Sequence, residues 1–276
     1  MSFFEKVKLV YQLFFDKSSL VDFEEAKNEN GYSDISQKIE LFGVLNVPDA
    51  SIMLHAYKEF KTKYPDFSPL FIFEDPAQCE YTNGHASGGD FYFDEDELVE
   101  KSGEKDLPLL RYNYVLERLN DPEKKLSFSE IAEVLDYQDE DEIKAFDKIN
   151  NLNSTPVYED TLVYLLPTKD SKEIFARMIN GYFASDLQPR QTYALISHLV
   201  DNYGYTFMGM GASLLMFVRE KDLELKKSEQ LLADLSLVYN IPIEKMKKIG
   251  ELFCVTKHLV LPYIESLGDI AFQYEE

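Results

Sequence analysis

Residues 205–219 read Tyr-Thr-Phe-Met-Gly-Met-Gly-Ala-Ser-Leu-Leu-Met-Phe-Val-Arg, and this stretch decides the fold class. Two apolar runs of strand length, at 205–208 and 213–219, flank the glycine-containing segment 209–212. This pattern predicts a β-hairpin in which the two glycines adopt positive φ angles. Just upstream, Pro189 begins a helical stretch that Gly204 terminates. A helix that leads into a hairpin indicates an α+β fold.

The rest of the chain supplies further strands and helices on the same criteria. Short apolar runs bounded by turn residues predict strands at 40–47, 69–74, 91–93, 161–166 and 259–261. Helical periodicity, caps and proline starts predict helices at 3–15, 50–63, 94–100, 107–119, 127–137, 140–149, 170–178, 228–239 and 242–253. Residues 75–90 are rich in turn residues, which predicts a loop.

The polar, turn-rich residues 150–156 are the best candidate for a domain boundary. We therefore expect an α+β fold with a mixed or antiparallel sheet and packed helices, arranged as two abutting lobes. Residues 1–152 are expected to form an acidic, helix-rich lobe with a short sheet. Residues 153–276 are expected to form an α+β lobe.

The composition is that of a globular protein with strong acidity. The chain has 276 residues, of which 45% are hydrophobic and 28% charged, and its net charge is −22. Acidic and basic side chains number 33 and 16 in residues 1–150, but 17 and 12 in residues 151–276. The negative potential disfavours direct binding to nucleic acid or to an anionic membrane. Solubility alone explains this acidity, and the alternative is a basic protein that docks on the acidic first half.

Several features indicate a cytoplasmic protein. The two cysteines, Cys79 and Cys254, form no spaced motif, which is typical of a reducing compartment. The N-terminus lacks the continuous apolar core of a signal peptide, because charges interrupt it. No apolar run approaches the roughly 20 residues of a membrane span, so no membrane association is expected.

Two predicted loops carry candidate functional residues. In the loop 75–90, Cys79 and His85 supply a thiol and a nearby imidazole, which is the minimum for nucleophilic catalysis. Their spacing matches no nucleophile signature, and a mobile surface loop is the alternative interpretation. In the loop 180–189, Tyr182, Phe183 and Asp186 form the second candidate group.

No cofactor, nucleotide or metal site is predicted. Four acidic residues are spaced somewhat like the ligands of a calcium-binding loop: Asp90, Asp94, Asp96 and Glu97. The segment lacks the central glycine and the closing glutamate of such a loop. The segment 209–211 lacks the third glycine and the following helix of a phosphate loop. Residues 136–142 carry five carboxylates. They indicate either a polar connection between helices or a docking face for a basic partner.

The second half resembles a known bacterial family. The likeness rests on five groups in order along the chain: Leu166-Pro-Thr-Lys-Asp170, Glu173-Ile-Phe175, Gly181-Tyr-Phe183, Pro189 and Tyr203-Gly204. They are similar to the domain of unknown function numbered forty-two fifty-three, with the best match over residues 162–240. The spacings agree without gaps from Leu166 to Phe217, and residues 54–72 agree more loosely. The resemblance implies an α+β fold and a bacterial cytoplasmic setting, but no reaction.

The chain departs from this family where the family carries its most polar and indole-rich residues. Phe183-Ala184 stands where the family has Trp-Asn, and Ala212-Ser213 stands where it has His-Asp. The family's Trp-rich C-terminal strand has its nearest counterpart at 259–261. The resemblance therefore implies that any active site of the family at these positions is lost in this chain.

These observations favour a non-catalytic protein-binding or accessory protein, of which a toxin-immunity protein is one form. The acidic first half and the absence of a catalytic motif support this hypothesis. The alternative is an enzyme of unknown reaction that uses either Cys79 and His85 or the loop from Tyr182 to Asp186. A third hypothesis, mimicry of nucleic acid by carboxylates, requires a regular acidic stripe on the surface.

Overall fold

A six-stranded mixed sheet organises the fold. The computed structural model describes residues 41–47, 49–102, 107–158, 160–181, 183–247 and 256–267. The strands are β1 (Leu41–Asn46), β2 (Ser68–Glu74), β3 (Asp160–Leu166), β4 (Thr206–Gly211), β5 (Leu214–Val218) and β6 (His258–Pro262). Their order across the sheet is β1-β3-β2-β4-β5-β6. β2 and β4 run parallel, and the other neighbouring pairs are antiparallel.

Helices and short 3₁₀ turns connect and cover these strands. The helices are α1 (Ala50–Lys63), α2 (Pro76–Ala86), α3 (Glu95–Ser102), α4 (Leu107–Leu119), α5 (Glu140–Ile149), α6 (Pro189–Tyr203) and α7 (Leu225–Val238). The 3₁₀ turns are Gly89–Phe91, Phe128–Ile131 and Glu173–Arg177. The predicted α+β class is confirmed. Within the described ranges, no helix combines the length and the apolar character needed to cross a membrane.

The sheet is covered on both faces over much of its width. β2, β5 and β6 are buried at every residue. A strand buried on both faces needs apolar side chains in consecutive positions rather than in alternation. The run Leu214–Val218 has this composition, and all five of its residues are buried.

The predicted hairpin is present, but its glycines have a different role. Gly209 and Gly211 lie inside β4, and neither has a positive φ angle. A Cβ atom on Gly209 would lie 2.3 Å from the backbone O of Phe71, and one on Gly211 would lie 2.2 Å from Oε2 of Glu74. The prediction of turn glycines was therefore wrong. Both residues are glycine because β2 passes too close to β4 for a side chain.

The expected boundary near residue 152 falls in the connection between α5 and β3. β1 and β2 belong to the first half of the chain, whereas β3 to β6 belong to the second. β3 lies between β1 and β2 and pairs with both of them. Backbone hydrogen bonds of one shared sheet therefore join the two halves.

Residues 75–90, predicted as a loop, are mainly the helix α2. Pro76 occupies its first turn, where the missing N–H removes no helical hydrogen bond. Asp75 caps the helix by accepting a hydrogen bond from the backbone N of Gln78 at 3.1 Å. Two side chains of the inner face are buried: Cys79 and Thr82. The prediction was wrong because burial of this face outweighs the low helix propensity of the turn residues.

The helix predicted at 127–137 is reduced to the turn Phe128–Ile131, although Ser127 and Glu130 form the predicted capping box. Beyond this turn, the backbone N of Tyr137 donates to the backbone O of Tyr239 at 2.9 Å. The backbone therefore forms hydrogen bonds with the end of α7 instead of continuing as a helix. The helix predicted at 170–178 is likewise only the 3₁₀ turn Glu173–Arg177.

The strand predicted at 91–93 is absent, because Phe91 ends a 3₁₀ turn instead of pairing with a neighbouring strand. The helix predicted at 3–15 lies outside the described residues. Of the helix predicted at 242–253, residues 243–247 are helical and the rest lies outside the described residues.

Candidate functional site

A surface groove lies beside α3 and α4, where the chain leaves the turn Gly89–Phe91. The side chain of Asp94 accepts a hydrogen bond from the backbone N of Glu97 at 3.0 Å, which satisfies a free N–H at the start of α3. Tyr114 of α4 donates its hydroxyl to the backbone O of Tyr92 at 2.7 Å. Phe93 packs edge-on against Tyr114, with 5.6 Å between ring centroids. These contacts hold three aromatic rings together at the surface.

We call this cavity the aromatic groove. It has a volume of about 440 Å³, and its lining combines aromatic, charged and aliphatic side chains: Tyr92, Phe93, Asp94, Glu97, Leu98, Lys101, Tyr114 and Arg118. Tyr92 leaves 65% of its surface exposed. Aromatic residues are enriched at protein interfaces, because they bury a large area at little cost in conformational entropy.

Carboxylates surround the aromatic groove. Six acidic residues lie between positions 90 and 100, and all are exposed: Asp90, Asp94, Glu95, Asp96, Glu97 and Glu100. Two basic side chains share the groove. Lys101 is paired with Glu97, and the guanidinium of Arg118 lies 4.9 Å from the centroid of the Tyr114 ring. Aromatic faces and carboxylates both attract cations, so this surface suits a positively charged side chain.

The structure does not bring Cys79 and His85 together. They lie six residues apart on α2, which separates them by about 9 Å along the helix axis. The Cys79 thiol is 1% exposed and donates to the backbone O of Glu74 at 3.5 Å. Burial, with neighbouring carboxylates, raises the pKa of this thiol and keeps it protonated. His85 is exposed and packs against Tyr81 with 4.6 Å between ring centroids.

The second candidate loop also combines an exposed residue with a buried one. Phe183 is 54% exposed, whereas Asp186 is 4% exposed. Oδ1 of Asp186 accepts a hydrogen bond from the backbone N of Glu265 at 3.0 Å, which ties the loop to the segment after β6. Burial raises the pKa of Asp186 to about 6. Tyr182 lies outside the described residues.

Cys79 and Asp186 do approach a common neighbour, Tyr263. The Tyr263 hydroxyl donates to the backbone O of Gly211 at 2.9 Å. Burial raises the pKa of Tyr263, and the neighbouring carboxyl groups of Glu74 and Asp186 act in the same direction. Each of these four side chains is 4% exposed or less. A substrate cannot reach these buried side chains.

His198 and Asp234 are the pair that most resembles a catalytic dyad. Nε2 of His198 lies 2.6 Å from Oδ2 of Asp234, and its Nδ1 lies 3.1 Å from Nδ2 of Asn202. The ring of Phe128 stacks on the imidazole, with 3.6 Å between ring centroids. A general base needs a nitrogen that can reach a substrate proton. Both nitrogens of His198 are engaged within the protein, so the pair links α6 to α7.

The acidic run 136–142 is partly used by the fold. Asp139 caps α5 by accepting a hydrogen bond from the backbone N of Asp141 at 2.8 Å. Glu142 accepts from the backbone N of Leu267 at 2.8 Å and from the hydroxyl of Ser266. Asp139 and Glu142 therefore serve the fold, as Asp94 does at the start of α3.

The residues of the aromatic groove are not among the candidate sites that the sequence indicates. The run 91–93 predicts a strand, and the helical pattern of 107–119 gives Tyr114 no special role. The closeness of aromatic and acidic residues at 91–97 is the signal that could have indicated an interaction surface. For the part of the chain that the structure describes, no group of three or more His, Cys, Asp or Glu side chains is arranged to hold a metal ion.

Comparison with known protein families, with curated proteins and with solved structures found no match to this chain.

Proposed function

We propose that this chain is a non-catalytic protein-binding protein whose aromatic groove receives a basic segment of a partner protein. One observation carries the proposal: an exposed aromatic ring, two half-buried aromatic rings and exposed carboxylates share a single concave surface. Aromatic side chains supply most of the energy at protein interfaces, whereas charges steer the encounter and select the partner.

The charge distribution supports a basic partner. The net charge of −22 gives a negative field around the whole protein. In the free protein, Lys101 forms an ion pair with Glu97, and Arg118 lies over the Tyr114 ring. A lysine or arginine of the partner can replace these contacts, because exposed ion pairs are worth little and exchange easily.

The enzyme alternative has less support. Among the described candidates, Cys79 and Asp186 are buried, His85 is exposed but lies apart from Cys79, and both ring nitrogens of His198 are engaged within the protein. A catalytic site instead needs convergent polar groups beside a pocket that a substrate can enter.

We also propose that the chain is a divergent relative of the domain of unknown function numbered forty-two fifty-three, on the residues from Leu166 to Phe217. This relationship fits a bacterial cytoplasmic accessory protein. Toxin immunity is the narrower form of the proposal, since an acidic immunity protein can neutralise a basic toxin by docking on it.

The proposal is tested by capture from a native lysate with the wild-type chain and with Tyr92→Ala in parallel, at low and high salt. The expected result is a basic partner that binds the wild-type chain at low salt, leaves at high salt and is lost with Tyr92→Ala. Tyr81→Ala is the matched control, because Tyr81 is 55% exposed on α2 and does not line the aromatic groove.

A charge reversal separates specific docking from general attraction. Asp96→Lys, beside the groove, should weaken binding of the captured partner more than Glu229→Lys, which lies exposed on α7. Binding is measured with the purified partner by isothermal titration calorimetry. Equal effects of the two reversals, or a partner that tolerates Tyr92→Ala, would contradict the proposal.

A further inference from the structure

A second cavity of about 300 Å³ lies between α2, α4 and the turn Glu173–Arg177. Its lining contains two arginines, Arg111 and Arg177, and no acidic residue. This is unexpected in a chain with 50 acidic and 28 basic side chains. We propose that this cavity binds a small organic anion through a phosphate or carboxylate group. The proposal does not depend on the function proposed for the aromatic groove.

The two arginines approach the cavity from different elements. Arg177 belongs to the 3₁₀ turn, and its guanidinium lies 4.2 Å from the centroid of the Tyr164 ring. Stacking on an aromatic ring orients a guanidinium, and its five N–H donors can serve more than one acceptor. Arg111 belongs to α4, and its guanidinium lies 5.2 Å from the centroid of the Phe93 ring. Two oriented guanidinium groups are well suited to the several oxygens of one anion.

Arg111 also forms an ion pair with Glu95, which does not line the cavity. Both side chains of this pair are nearly half exposed. An exposed pair contributes little to stability. A guanidinium carries five N–H donors, so Arg111 can contact Glu95 and a ligand at the same time.

Polar groups of α2 complete the site. Oδ1 of Asn83 accepts a hydrogen bond from the backbone N of Ile179 at 3.0 Å. This contact fixes the amide, so its Nδ2 group carries the remaining donors. Ser87 also lines the cavity. Tyr112 lines it as well, and its buried hydroxyl has no hydrogen-bond partner among the described residues.

The rest of the wall suits the organic part of a ligand. Phe93, Val115 and Ala176 provide apolar surface. Gly84 lies in the same wall, and a Cβ atom added there would meet no atom within 4 Å. The space in front of Gly84 is therefore open. A Cβ atom at this position displaces no protein atom, and a larger side chain would compete with a ligand for the space beside this wall.

The full-length chain is titrated with phenyl phosphate, benzoate and inorganic phosphate by isothermal titration calorimetry. We expect saturable binding of phenyl phosphate or benzoate, and the tighter of the two identifies the headgroup. Arg177→Gln should weaken that binding by about tenfold or more, because charge-assisted hydrogen bonds are lost. Gly84→Leu should weaken it as well by filling the cavity.

Arg118→Gln serves as the matched control, because it removes an arginine that lines the aromatic groove and not this cavity, and it should keep the affinity. Thermal unfolding of each variant shows whether it is folded. Absence of saturable binding up to millimolar concentration would overturn the proposal, as would equal affinities of the wild-type chain, Arg177→Gln and Gly84→Leu. Phe93 is unsuitable for this test because it lines both cavities.

Discussion

The side chain of Glu74 accepts a hydrogen bond from the backbone N of Ser213 at 2.9 Å, where the end of β2 meets the turn between β4 and β5. Glu74 is only 4% exposed. Burial raises the pKa of its carboxyl to about 7, although the hydrogen bonds from Ser213 oppose that shift. This contact joins strands that are remote in sequence, and it makes the stability of the fold depend on pH.

Glu74→Gln should change that dependence. The unfolded chain ionises Glu74 near 4.5 and the folded chain near 7. Between these values the folded state binds more protons, so the free energy of unfolding falls as pH rises through this window. The loss is on the order of 3 kcal/mol and is complete above the folded pKa. Glu74→Gln removes it and should gain stability relative to the wild-type chain as pH rises.

Urea unfolding of the wild-type chain and Glu74→Gln at about pH 5 and about pH 8 measures this gain. Glu229→Gln, at an exposed position on α7, is the control for loss of one negative charge. If both variants change with pH in the same way, burial of Glu74 does not control the pH dependence.

Gly209→Ala should destabilise the protein, because its Cβ would lie 2.3 Å from the backbone O of Phe71. Overpacking of this kind costs about 1–3 kcal/mol. Gly84→Ala should instead raise the free energy of unfolding by about 0.5–1 kcal/mol, since alanine favours the helical conformation. Urea unfolding compares the two variants. Changes of the same sign would contradict the close approach of β2 and β4.

The Cys79 thiol should be unreactive in the folded protein. Its pKa is raised by burial, and the thiolate is the reactive form. In a Cys254→Ser background, reaction with Ellman's reagent should be at least about a hundredfold slower than in urea, because access requires local unfolding. His85→Ala should leave this rate unchanged. A fast reaction that His85→Ala slows would instead favour a catalytic thiol–imidazole pair.

Long periodic segments were predicted well because their signals are local. The helices α1, α4 and α6 begin and end at the predicted residues, since Asp49, Pro189 and Gly204 act on adjacent backbone groups. The segments 127–137 and 170–178 carried helix signals at their starts but became short turns. Hydrogen bonds with distant residues decided their conformation, as the contact between Tyr137 and Tyr239 illustrates.

The candidate sites were harder to predict than the elements. Cys79 and His85 are close in sequence, yet the helical geometry of α2 places one inside and the other outside. Tyr92 and Tyr114 are 22 residues apart, yet a hydrogen bond joins them. Sequence distance did not indicate either relationship.

The sequence by itself determined the α+β class, the hairpin and the acidity of the first half, because composition, periodicity and charge are properties of the chain. Only the tertiary structure decided that β3 pairs with both β1 and β2, that glycines serve the contact between β2 and β4, and that arginines share a cavity. These features depend on contacts between residues far apart in the chain. Such contacts depend on the burial and hydrogen bonding of the whole fold. Local sequence patterns do not encode them.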